Sequence, residues 1–185
     1  MWSFLKRFFG KSVIVPAQTV PSVGATPTPF VVSSTPDILL GRITGASEIE
    51  KAMIIHALSY VKAVVYSPAF YTSVMAASFT TTDGCTNEQI YKAFTTQSIV
   101  VNVDDYTGSW KANHVSKTMG YENGDGYVHA NRVFVYEAIG MASLILHEVA
   151  HQLGFRHISP NESTSIPYTM NRIFELINKQ QLSIV

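Results

Sequence analysis

From residue 47 onward, apolar and polar positions fall into recognisable helical and extended periods. Ser47-Glu48-Ile49-Glu50 is a capping box, in which serine and the second glutamate satisfy each other's backbone donors. Ile49, Met53, His56, Tyr60 and Val64 follow at helical spacing, and Pro68 predicts the stop. A short helix is predicted to start near Thr86 and cover Asn87 to Phe94. Ser98 to Val103 reads as a strand, as does Tyr127 to Tyr136 after the turn Gly124-Asp125-Gly126. Another helix is predicted from Ala138 to Leu153, ended by Gly154. A last helix begins near Met170, with Met170, Ile173, Phe174 and Ile177 on one stripe. Helices and strands mixed in this way, without regular βαβ alternation, predict an α+β domain.

The first 36 residues differ from the rest. Wound as a helix, residues 1–11 set Trp2, Phe4, Leu5, Phe8 and Phe9 against Ser3, Lys6, Arg7 and Lys11. A short basic amphipathic segment of this kind can lie on a membrane surface, dock on a protein partner, or cover the domain as a frayed end. Pro16, Pro21, Pro27, Pro29 and Pro36 then forbid helix and favour an extended run. Residues 1–36 are accordingly read as an amphipathic segment plus a Pro-rich tether or prosegment, and 37–185 as the globular domain. The basic residues follow the first aromatics, which makes a poor signal peptide. No run of about 18 apolar residues occurs; Ala52 to Tyr66 is interrupted by His56 and Lys62.

Composition adds mainly exclusions. An apolar fraction of 46% against 14% charged residues is ample for a core. Thirteen basic and 13 acidic residues give no net field to collect nucleic acid. The one cysteine, Cys85, forms no intrachain disulfide or thiolate cluster and is expected as a buried thiol. Location stays open among extracytoplasmic, envelope-associated and virion-associated settings.

The chemistry concentrates in His147-Glu148-Val149-Ala150-His151-Gln152-Leu153-Gly154-Phe155-Arg156-His157. Four residues is slightly more than a helical turn, so His147 and His151 share one face and can reach a single Zn²⁺. Gly154 lets the chain turn sharply, which brings His157 back as a third ligand. Three protein ligands leave the open position that a catalytic site requires. Glu148 flanks the metal and is the candidate general base for a water attacking a carbonyl.

These residues resemble the signature HExxHxxGxxH of the metzincin clan of zinc endopeptidases. The resemblance is firm over residues 147–170. A looser likeness, from Asn131-Arg-Val-Phe-Val through Ser165-Ile-Pro-Tyr, is to small metzincin-like proteins of bacteria and their phages. Membership would imply a small twisted sheet, an active-site helix across it and a C-terminal subdomain, here minimal. A protein or peptide substrate would pair along an edge strand, for which Ser98 to Val103 is the candidate. The clan's methionine turn, an apolar support beneath the ligands, maps to Met170. Several members carry an oxyanion-stabilising tyrosine two residues after that methionine. Arg172 stands there in this chain, so the role does not transfer; Tyr168, two residues before, is the alternative candidate. Cys85 lacks the flanking residues of the clan's cysteine switch.

The leading expectation is therefore a zinc endopeptidase. Two rivals are a cell-wall peptide hydrolase of the same chemistry and a non-catalytic, zinc-stabilised anchoring or assembly protein. Among other residues, His56 is expected as a hydrogen-bonded core histidine. His114 and His129 are expected in a loop and a strand, with surface or packing roles. Asp104, Asp105 and Asp125 match no calcium loop.

Overall fold

The computed structural model describes residues 36–80, 84–114, 119–121, 125–157 and 163–182. The amphipathic segment and nearly all of the Pro-rich run thus lie outside the described residues. The rest is an α+β domain with a mixed four-stranded sheet.

The chain opens with β1 (Ile38–Thr44), which the hydrophobic pattern did not reveal. Its register against the next strand shifts between Leu40 and Ile43, so Gly41 and Arg42 break the two-residue alternation that marks a strand. Helix α1 (Glu48–Val65) follows from the predicted capping box, with Ser47 Oγ accepting from the Glu50 N–H and Glu50 Oε2 from the Ser47 N–H. Its buried face differs in part from the expected one. Ile54, Ala57, Leu58, Val61 and Val65 enter the core together with the expected Val64, and Met53 and Tyr60 pack half-buried against it, whereas Ile49 is 68% exposed and His56 is exposed against Tyr60. The helix is apolar on two sides, so periodicity admits two stripes. The inward pull of Glu50, paired with Arg132, accompanies the one observed.

Pro68 ends α1 as expected, and it also begins α2 (Pro68–Ala76), which was not anticipated. Ser67 serves both helices: its hydroxyl donates to the Val64 carbonyl and accepts from the Phe70 N–H. Proline suits the first helical position because its missing N–H would have had no intrahelical partner. Helix α3 (Asn87–Thr95) starts at the Thr86 cap, and Cys85 beside it is half-buried against the core rather than fully buried.

Strand β2 (Ile99–Tyr106) leads to the short helix α4 (Trp110–His114), which carries His114 on an exposed site instead of a loop. After it come β3 (Gly120–Tyr121) and β4 (Tyr127–Asn131). The expected strand to Tyr136 stops at Asn131, whose side chain accepts from the Val133 N–H and turns Arg132–Phe134 into a single 3₁₀ turn. Helix α5 (Ala138–Gln152) and helix α6 (Ile166–Leu182) complete the described chain. The last helix begins a turn before Met170, with Pro167 tolerated in its first turn.

The strand order is β1-β2-β4-β3, parallel except for the β3–β4 pair. This corrects the edge-strand expectation. Ser98 to Val103 forms most of β2, an interior strand that pairs with β1 from Ile99 onward and with β4 from Asn102 onward, so it is not an edge of the sheet. The antiparallel edge is β3. Alternate residues of β2 enter the core, Ile99, Val101 and Val103 among them, and the core continues through α1, α5 and α6. The face of α5 between Met141 and Ala150 is buried throughout. No single helix among the described residues is long and apolar enough to cross a membrane.

Candidate metal centre

Helix α5 carries two of the three histidines, and its C-terminus delivers the third. Gly154 has φ 92°, the left-handed conformation that a side chain would strain. The Gly154 N–H donates to the His151 carbonyl at 2.8 Å and the Phe155 N–H to the Ala150 carbonyl at 3.0 Å. These two bonds form a Schellman motif, closed by buried Phe155 as its apolar contact. The chain is thereby reversed over the end of α5, and His157 returns to the face that carries His147.

The imidazoles converge. Ring centroids are 5.0 Å apart for His147 and His151, 5.1 Å for His147 and His157, and 4.7 Å for His151 and His157. Nε2 of His147 lies 3.2 Å from Nε2 of His157. One ligand atom from each of the three falls within 4.8 Å of the others. The three histidines are close enough to hold one metal ion.

Two backbone and side-chain partners decide which nitrogen is presented. His151 Nδ1 is 2.8 Å from the Phe155 carbonyl, which can only accept, so Nδ1 carries the proton and Nε2 keeps its lone pair. His157 Nδ1 is 2.7 Å from Ser165 Oγ. His147 is 8% exposed, and its Nδ1 is buried with no hydrogen-bond partner among the described residues. Burial, then the neighbouring His151 and His157, lowers its pKa to about 3, which keeps the ring neutral as a ligand must be.

The donor set fits a small divalent cation. With nitrogen–metal distances of about 2.0–2.1 Å, two tetrahedral ligands lie roughly 3.3 Å apart, close to the His147–His157 separation. Glu148 is buried at 4% exposure next to His147. Burying a carboxylate is costly, and a cation beside it offsets that cost.

Tyr168 reaches this centre, as the sequence left open. Its ring stacks on His157 at 4.5 Å and 27°, and meets His147 edge-on at 4.9 Å. Met170 is fully buried, and sits inside α6 rather than in a turn. Ser165 and Phe155 were not singled out by sequence. The only signal for either was position: one directly before a helix, the other directly after the glycine.

The remaining candidates lie elsewhere. His129 bridges two carboxylates across the sheet, with Nδ1 3.1 Å from Asp104 Oδ2 and Nε2 2.9 Å from Asp125 Oδ2, and it stacks on Tyr121. Its two nitrogens face opposite ways, so these acids do not share one ion with it. Asp105 is instead buried beside Glu50 and Arg132. Comparison with protein-family models, curated proteins and solved structures finds no match to this chain.

Proposed function

We propose that this chain is a zinc-dependent endopeptidase of the metzincin kind. The observation that carries the reading is the convergence of His147, His151 and His157, with Nε2 of His151 left as acceptor by the Phe155 carbonyl on its Nδ1 and the His157 ring oriented by Ser165. Those three residues would hold the metal, which when bound supplies Lewis acidity toward a peptide carbonyl. Zinc is favoured because three neutral imidazoles suit it and leave one position open.

The chain's own groups do the rest. Glu148 takes a proton from the attacking water and returns it to the departing amine, as a general base and then a general acid. Its neighbour His147 stays neutral through burial, so no imidazolium competes for that proton. Tyr168, against His147 and His157, is the candidate donor toward the developing oxyanion. Met170 forms part of the apolar packing shared by α5 and α6.

The deciding experiment is metal analysis of the purified full chain, coupled to cleavage-site mapping on a peptide library with and without a chelator. One zinc per chain and chelator-sensitive cleavage support the reading. Zinc bound with no cleavage of peptide, protein or peptidoglycan substrates would reject catalysis and favour a structural ion.

A further inference from the structure

We propose that Ser165 is a positioning residue of the metal centre: its hydroxyl selects the ring orientation in which His157 presents Nε2. The inference rests on reading the three histidines as a metal site. His147 and His151 are oriented by the regular backbone of α5. His157 stands beyond the helix, in a segment without regular structure, and something else must fix its ring.

Stacking on Tyr168 restrains the tilt of that ring but not its flip. A histidine's χ2 is roughly two-fold, so a ring turned by half a rotation keeps its plane and presents its equivalent opposite face to the tyrosine. The flip exchanges Nδ1 for a carbon and moves Nε2 away from His147. A polar partner distinguishes the two states, and on the Nδ1 side Ser165 Oγ, 2.7 Å away, is such a partner.

The serine is itself held in place. It is 0% exposed, and its carbonyl accepts the Thr169 N–H at 2.9 Å at the start of α6. The preceding Thr164 is tied to Thr80 through its carbonyl at 3.1 Å and its hydroxyl at 3.0 Å. The hydroxyl therefore sits at a fixed, solvent-shielded point relative to α6.

The test compares Ser165→Ala and Ser165→Thr in the full chain, titrated with Co²⁺ and with Zn²⁺ against a competing chelator. Ser165→Ala is expected to weaken metal binding by about 10–100-fold and to alter the Co²⁺ visible bands, while Ser165→Thr stays within about threefold of wild type. A purely structural role would lower melting temperature in both without changing the Co²⁺ bands of the folded fraction.

Wild-type affinity and unchanged bands in Ser165→Ala would overturn the positioning role and leave the metal site standing. Equal losses in both variants would also overturn it, since volume rather than the hydroxyl would then matter. A wild-type chain that binds no metal overturns the metal reading and this inference together. A measurement that needs no variant is the His157 Nδ1–H of the zinc-loaded wild type, expected as a slowly exchanging proton in a nitrogen-edited spectrum. Rapid exchange with water would count against the proposal.

Discussion

His147 and His157 place their Nε2 atoms 3.2 Å apart, although one lies in the middle of α5 and the other beyond its end. Two imidazole nitrogens at that distance are within hydrogen-bond reach, an N–H on one donating to the lone pair of the other. The backbone holds them there through the Schellman turn at Gly154 and the bond from His157 to Ser165. A metal ion held between the rings would replace that shared proton and would bind the folded chain in preference to the unfolded one, so metal loading and domain stability are expected to be linked.

The first prediction concerns that linkage. Zinc at a hundredfold excess over its Kd is expected to stabilise the folded chain by about 3 kcal/mol. For a domain of this size the melting temperature rises by roughly 6–10 °C, and a chelator reverses it. His157→Ala should abolish the zinc-dependent rise in differential scanning calorimetry. A chelator effect that persists in this variant would place the ion elsewhere.

Glu148→Ala separates binding from chemistry. Removal of a positioned acid–base group costs about 10²–10⁴-fold in turnover, with zinc still bound. Full hydrolysis by a zinc-loaded Glu148→Ala chain would reject its role in proton transfer.

Tyr168→Phe keeps the ring that stacks on His157 and removes only the hydroxyl. Turnover is expected to fall by about 10²-fold with KM little changed, since the hydroxyl acts on charge that develops in the transition state. Unchanged kcat would leave Tyr168 as a packing group alone.

Gly154→Ala tests the turn. A side chain at φ 92° adds about 1–2 kcal/mol of strain, which lowers the melting temperature by roughly 2–8 °C. Metal affinity should fall with it, because the same turn aims His157. A variant that loses stability while binding zinc as wild type does would uncouple the two.

Much of this arrangement was legible in the sequence because it is local. The capping box at Ser47, the cap at Thr86 and the glycine ending α5 each act within a few residues, and all were found where expected. The convergence of the three histidines follows from one helix and one turn, so it too could be read. What could not be read depends on distant partners. β1 was hidden by its bulge, and β2 became interior only because β1 and β4 flank it. The misplaced part of the α1 stripe, Ile49 and His56, reflects a choice between two apolar faces that only the packed domain makes. Ser165 meets His157 through tertiary structure, and nothing in its neighbours announces that.

Asp105 provides a prediction of pH dependence. Burial, then the charge of Glu50, pushes its carboxyl up to about 6, against 3.8 for an unperturbed side chain. The folded chain therefore binds this proton more tightly than the unfolded chain does. This contribution favours folding at low pH and is lost as pH rises from about 4 through about 6. Asp105→Asn keeps the shape and supplies a neutral donor beside Glu50. Its melting temperature is expected to exceed that of wild type above pH 6, with the gap closing toward pH 4. A gap that stays constant across this range would show that Asp105 does not carry the proton.

The parallel pairing of β1 with β2 has a consequence for how the molecule is made. Thr44 bonds to Asp104, sixty residues further along, and closing so long a span is slow because chain entropy is lost before strand pairing repays it. The histidines, by contrast, all fall between positions 147 and 157, so a short loop suffices to bring them together. A metal ion would thus have a foothold on the chain before the sheet has assembled. An unfolded state that kept some grip on the ion would make the net gain in folding free energy smaller than affinity for the finished domain alone implies.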